Sequence, residues 1–295
     1  NVDQVGILNT FDDINKYNLD NLSMSQLSAC IQDLATKMEI KPKKIKKIVT
    51  SLSGKSIDIR QITTLDMSDE ELLVSLDLEA KKHVPLDGTE AIIDYHHLGN
   101  NSNELDKIDL ILVTTTKNKI NDHSKILKSS GFKPGIFDAD PIALSNLYRH
   151  NNQLPEDGAD VILNIGHSST TLIVWGKNSS FFTRDIEIGG HEINKRIIQE
   201  LDCDYLTADN KKNSEGIDVF EHTNNEDDQN TGISIEKRTI YNDLVEEIRK
   251  TLRFYMKSNS QSFFNTFYLT GGCANVPGLK DFIMENLNVK IEDFN

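Results

Sequence analysis

Asp160-Val161-Ile162-Leu163-Asn164-Ile165-Gly166-His167-Ser168-Ser169-Thr170-Thr171-Leu172-Ile173-Val174 is the most informative stretch of the chain. An apolar run ends in a Gly/Ser/Thr turn and returns as a second apolar run, which predicts two buried strands, Asp160–Ile165 and Thr170–Trp175. Gly166 permits close approach to the main chain, and the hydroxyls and turn amides are suited to cradling an anion. The stretch is not a Walker loop, which needs Gly-Lys-Ser/Thr leading into a helix. Read alone, it fits an ordinary hairpin with a polar turn better than a ligand loop, by roughly two to one.

Three further features stand around it. Tyr268-Leu269-Thr270-Gly271-Gly272-Cys273-Ala274 reads as a strand end running into paired glycines, with a helix beginning near Gly278-Leu279. Such a turn admits a flat or anionic ligand, and it is also a common strand-to-helix connection. Gly189-Gly190 follows a candidate strand Phe181–Ile186 and precedes a helix Glu192–Leu201. Asp138-Ala139-Asp140-Pro141-Ile142-Ala143 reads as a strand end feeding a helix, with Asp140 as N-cap and Pro141 in the first turn.

Farther out, helical spacing marks Leu22–Met38, Asp69–Ala80 (stopped near Pro85) and Asn242–Lys257. Strand candidates are Lys47–Ser51, Ser56–Ile62, Ala91–Leu98, Ile108–Thr115 and Phe267–Thr270. Helices and strands alternate, which favours an α/β architecture with mixed sheets. The polar run 150–158, containing Pro155 and Gly158, separates the halves of the chain.

The 295 residues suggest two domains. There are 32 Lys and Arg against 46 Asp and Glu, a net charge of −14, which disfavours a nucleic-acid footprint. Much of the excess lies in Asp202–Glu236, where ten acids face Lys211 and Lys212, and Glu221–Gly232 reads as a mobile surface loop. The opposite sign gathers in Lys41, Lys43, Lys44, Lys46 and Lys47, read as a solvated connection or, alternatively, a docking patch for an acidic partner. Hydrophobic content of 37% and a mean hydropathy of −0.43 fit a soluble globular chain without a membrane span. Cys30, Cys203 and Cys273 are odd in number and widely spaced, which argues against disulfides and a metal site and for a reducing compartment. The start has neither a secretory signal pattern nor an initiator Met, so an incomplete N-terminus is expected.

In this order and spacing, the glycine features resemble the actin-like ATPase superfamily. Asp140-Pro141-Ile142-Ala143 is similar to its carboxylate-Pro-x-Ala helix, Asn164–Thr170 to its second phosphate loop, and Thr270–Ala274 to its adenosine turn. Within it the chain most resembles the PilM family of type IV pilus assembly. The likeness is carried by Met67–Leu72, Glu79–Pro85, Ile93–Tyr95 with Leu98-Gly99, Gly131–Pro134, Phe182–Gly190 and Glu247–Tyr255.

The resemblance implies an α/β, actin-like (ribonuclease H-like) fold of two lobes flanking an ATP cleft. Residues 1–150 would form the N-terminal lobe, with core 1–48 and 116–150 and an inserted subdomain about 49–115. Residues 151–295 would form the C-terminal lobe, with core 159–201 and 265–295 and an insertion about 202–264. It further implies ATP and Mg²⁺ as cofactors. Gly166, Ser168 and Thr170 would contact phosphates, Asn164 would hold metal-shell water and Asp140 would orient attacking water. Gly271, Gly272 and Ala274 would face adenosine, with Lys250 and Thr251 nearby on their helix. The implied partner is a PilN-like inner-membrane protein docked through its cytoplasmic N-terminal peptide, alongside pilus motor or platform proteins and self-association. The implied location is cytoplasmic, peripheral to the inner membrane.

Three departures qualify this. Nothing like the family's first phosphate hairpin precedes Val5, and the family's C-terminal helix ending in a Gly-Leu-Ala-x-Arg-like run is missing after Asn295, as if both ends were truncated. Asn164 stands where the second loop usually has Asp; a neutral amide helps Mg²⁺ far less. Hydrolysis is therefore expected to be weak or absent. The competing readings are a division scaffold like FtsA, a type II secretion component, and a small-molecule kinase of the same fold. The kinase reading lacks a second-substrate motif, and its only suggestive bases are His96, His97 and His167. The paired histidines are expected to point one inward and one outward, and His167 to be a turn residue.

Overall fold

A computed structural model describes residues 2–10, 22–82, 90–101, 104–224 and 238–294, apart from the side chains of 55 and 221–224. The chain divides into two compact units, Asn1–Ala143 and Leu144–Asn295.

In the first unit, α1 (Met24–Lys37) opens with a capping box in which Ser23 and Gln26 exchange hydrogen bonds. It packs beside α3 (Lys117–Ser129), where Gln32 Nε2 donates to Ser129 O at 2.7 Å and Ser28 Oγ to Ile126 O at 3.3 Å. The strands that follow these helices, β1 (Val49–Leu52) and β5 (Ile136–Ala139), pair in parallel, Val49 opposite Ile136. Between them lies an antiparallel sheet in the order β2-β4-β3, formed by β2 (Ile57–Leu65), β3 (Ala91–Asn100) and β4 (Lys107–Thr116). Helix α2 (Asp69–Ala80) covers one face, burying Leu72 and Leu76 against Ile108, Leu110 and Leu112. Its first turn holds Asp69, Glu70 and Glu71, the sign the helix dipole favours. Pro85, expected to stop it, lies outside the described residues. His96 and His97 are both exposed, against the expected alternation, because β3 is the outer strand and its far end is covered on neither face.

Helix α4 (Asp140–Asn151) carries the chain from one unit into the next. It begins at Asp140 itself, so this carboxylate sits in the first helical turn and not at the N-cap. The second unit is built on one sheet in the order β10-β9-β6-β7-β8. Its strands are β6 (Asp160–Ile165), β7 (Thr170–Gly176), β8 (Ser179–Ile186), β9 (Phe267–Thr270) and β10 (Ile291–Asp293). The meander β6-β7-β8 is antiparallel, whereas β9 runs parallel to β6 and β10 parallel to β9. Every residue of β7 is buried, as a central strand covered on both faces requires. Four helices complete the unit: α5 (Gly190–Leu201), α6 (Tyr205–Ser214), α7 (Ile240–Asn259) and α8 (Leu279–Leu287). Tyr241, Leu244, Val245, Ile248, Leu252 and Tyr255 turn one stripe of α7 into the core.

The acid-rich stretch is more ordered than its composition suggests. It forms α6 and a 3₁₀ segment Gly216–Asn224, and the remainder of the expected loop Glu221–Gly232 lies outside the described residues. Of the cysteines, Cys273 is buried and the other two are half-buried.

Neighbours on α2 separate core from surface. Leu72→Ala should cost about 2–5 kcal/mol in urea unfolding of the full chain, because a buried cavity is left. Leu73→Ala, at a position 48% exposed, should stay within about 0.5 kcal/mol of the parent.

Candidate functional site

Strands β6 and β9 lie side by side in parallel, Asn164 opposite Thr270, so the loop after one and the turn after the other emerge together at the carboxyl ends. That edge of a parallel sheet is where open α/β folds bind ligands. The two are joined directly, since Cys273 N donates to Ile165 O at 3.0 Å.

The loop is pinned from the other side by α5. Gly190 N donates to Gly166 O at 2.9 Å and His191 N to His167 O at 2.8 Å, while Gly166 N closes the turn onto Ser169 O at 2.9 Å. A Cβ on Gly189 would lie 2.6 Å from His167 O and 2.7 Å from Ser169 N, so only glycine fits there. With its carbonyls tied back, the loop presents the amides of His167, Ser168 and Ser169 without a hydrogen-bond partner among the described residues. Consecutive free amides on a turn form a concavity for anions.

The paired glycines have different duties. Gly271 has φ +95°, and a Cβ there would lie 2.5 Å from both Asn164 Oδ1 and Ile165 O. A Cβ on Gly272 would meet nothing within 4 Å. Gly271 thus serves close packing, and Gly272 leaves open space beside the loop.

The other expected site residues fall into place around these. Ser168 is exposed on the loop, and Asn164 and Ala274 are half-buried. Thr170, expected on the phosphates, is fully buried and its hydroxyl donates to Ile188 O at 2.7 Å, so it braces the loop from behind. Thr251 is buried on α7, and Lys250 pairs in solvent with Glu247 at 2.8 Å. Asp140 belongs to the first unit.

Sequence reasoning missed a polar cluster behind the loop. The His167 and His191 rings stand 5.3 Å apart, and His191 Nδ1 lies 3.4 Å from Tyr205 Oη. Below them Asp209 accepts from Asn194 Nδ2 at 2.8 Å and from the buried Lys212 at 2.5 Å. Lys212 Nζ comes within 3.5 Å of the position of a Cβ on Gly190. The one available signal was the i,i+3 spacing of Asp209 and Lys212, hidden in a segment that reads as solvated. Burial opposes the charge on Asp209, yet the bonds from Lys212 and Asn194 hold its carboxyl below the usual range. Burial raises the Cys273 thiol and keeps it protonated. Among the described residues no three His, Cys, Asp or Glu side chains gather to hold a metal.

Burial, then the neighbouring His191 and Lys212, lower the pKa of His167 from its ordinary value near 6.5. The unfolded chain therefore takes up this proton more readily. Stability from His167 is complete above about pH 6.5 and falls as pH drops through that value. Thermal melts of His167→Gln between pH 5 and 8 should show a shallower acid-side loss than the parent, the remainder including His123, also lowered by burial.

The family model described as type IV pilus assembly protein PilM matches residues 12–295. A solved structure described as "PilM-PilN type IV pilus biogenesis complex" shares the fold, with a TM-score of 0.73 at 20% identity over 90% of this chain and 74% of that chain. Weaker likenesses are to the ethanolamine utilization protein EutJ from Carboxydothermus hydrogenoformans (TM-score 0.43, 14% identity, 61% of this chain and 57% of that one) and to MreB 5 of Spiroplasma citri bound to AMPPNP (0.39, 15%, 61% and 60%). With α/β units of the kind the actin-like class is built from and a family match over nearly its whole length, the chain belongs to the PilM family of type IV pilus assembly proteins.

Proposed function

We propose that this chain is a nucleotide-binding adaptor of type IV pilus assembly, cytoplasmic and held at the inner membrane through its partners. The observation that carries the nucleotide reading is the pairing of free amides at 167–169 with the open space at Gly272, on adjacent carboxyl ends of β6 and β9. An anion fits the amides, and a flat ring fits a surface without side chains. The amides of 167–169 and the Ser168 hydroxyl would hold phosphates, with Gly272 and Ala274 against the adenosine; Gly166, whose amide is taken by Ser169 O, would shape the turn instead of donating. Lys212 would add positive charge from behind the loop.

ATP would bring the phosphate charge and Mg²⁺ its partial neutralisation. Asn164 could hold a metal-bound water but adds no charge, which supports slow or absent hydrolysis. The protein's contribution is positioning and electrostatic stabilisation. The partner reading rests on family membership and on the pairing of PilM with PilN in the similar solved complex. We assign the cytoplasmic N-terminal peptide of a PilN-like inner-membrane protein to the first unit.

Titration with a fluorescent ATP analogue and Mg²⁺ should saturate, and Gly272→Val should weaken binding about tenfold or more at unchanged melting temperature. Gly271→Ala should instead lower the melting temperature, because of its φ and its contact with Asn164. Absence of saturable binding by the parent chain would remove the nucleotide role. The adaptor role predicts that a PilN-like N-terminal peptide co-purifies with the chain, and its failure to do so would argue against that docking.

A further inference from the structure

Between Lys41 and Lys47 the chain has five lysines and no acid, and Arg60 is the only arginine before Arg149. The turn Pro42–Lys44 and the residues after it project these lysines from one end of the first unit, with Lys43 to Lys47 all exposed. Lys133 joins them from the loop before β5. That loop touches the turn where Gly131 faces Pro42, and Ile136 N donates to Ile48 O at 2.9 Å. This end lies where β1 and β5 begin.

The ordinary explanation of surface lysines is that they neutralise nearby acids or helix ends. Lys81, Lys82, Lys107, Lys117 and Lys125 of the same unit each pair with a carboxylate. Helix C-termini account for Lys37 and Lys128. Lys41, Lys46, Lys47 and Lys133 have neither, Lys43 and Lys44 end only the three-residue turn Pro42–Lys44, too short to carry a helix dipole, and among the described residues none of the six forms an ion pair. In a chain of net charge −14, this concentration of unpaired cations marks a surface for an anionic partner.

We propose that the Lys41–Lys47 end of the first unit binds the anionic phospholipid headgroups of a bilayer. Lysine ammoniums on long stems follow fluid headgroups without a fixed register, whereas arginine forks and aromatic faces would suit nucleic acid. Five consecutive exposed residues present their charges to a flat, extended anionic surface as readily as to a single acidic segment, and the vesicle and polyglutamate arms of the test separate the two. Ile45, 40% exposed among the lysines, can enter the headgroup layer. The acids of Asp202–Glu236 belong to the second unit, so a negative bilayer would attract the lysine end and repel the acid-rich segment. This contact is direct and independent of both nucleotide and partner protein.

Sedimentation of the full chain with vesicles tests it. Vesicles of phosphatidylglycerol and phosphatidylcholine should carry the protein down at low salt, pure phosphatidylcholine should not, and high salt should release it. Lys43→Glu/Lys44→Glu/Lys46→Glu should reduce partitioning roughly a hundredfold or more, at about fivefold for each lysine charge removed. The triple variant Lys81→Glu/Lys82→Glu/Lys107→Glu changes net charge equally and should bind much more tightly than the first. Folding of both is checked by circular dichroism. No binding by the parent at low salt, equal loss in the two triple variants, or no loss in the first would overturn the proposal. So would binding of a polyglutamate peptide without binding of vesicles.

Discussion

The site depends on the parallel pairing of β6 with β9. Sequence neighbours cannot pair in parallel, so this contact joins residues more than a hundred positions apart and must be fixed by side chains buried on both faces. Val161, Leu163, Ile165, Phe267 and Leu269 supply one face and Ile162 of β6 lies buried on the other. Once the register sets Asn164 opposite Thr270, the next residues of each strand have little freedom. Ile165 O receives Cys273 N, and Gly271 must be glycine because Asn164 Oδ1 and Ile165 O occupy the place of its Cβ. A one-residue slip would reverse the faces and take these apolar side chains out of the core they share.

The remaining order follows from satisfying polar groups around that seam. The loop carbonyls of Gly166 and His167 accept from the first amides of α5, so the helix N-terminus is used to hold the loop and not left open. Thr170 removes another carbonyl, that of Ile188, from competition. The amides of 167–169 remain without a partner among the described residues, a cost that is tolerable only where solvent or an anion reaches them. Behind the loop, Lys212 is buried at the expense of desolvation and is stabilised by Asp209, which Asn194 also holds. The cluster therefore stiffens the loop and places a positive charge behind it with the same few bonds.

How much of this was legible in the sequence varied with the range of the forces. Strands β6, β7 and β9 are plain in the linear pattern because apolar runs bounded by glycines specify them locally, and α2 and α7 follow from helical spacing. The likeness of the glycine features to a known superfamily brought distant segments together that no local pattern could. Helix α6 was obscured because charge density masks helical order, and its Asp209 and Lys212 look solvated until tertiary packing buries them. Thr170 was misplaced for a related reason: a hydroxyl beside a loop reads as a donor to ligand, but full burial commits it to the main chain. Likewise the two glycines at 271 and 272 are indistinguishable in sequence, and only the neighbours of their missing Cβ atoms separate structural need from open space.

Asn164 connects the packing of the seam to the chemistry of the site. An aspartate there would sit within the same close packing against Gly271, where its charge would require compensation by a cation. The amide keeps the shape and removes that requirement. The positive charge that the site does contain, Lys212, is already held by Asp209 before any ligand arrives. An arrangement with preformed charge balance favours holding a phosphate over driving its transfer, since catalysis needs stabilisation that grows in the transition state. On the nucleotide reading proposed above, the local chemistry of the second unit would retain a phosphate more readily than transfer it.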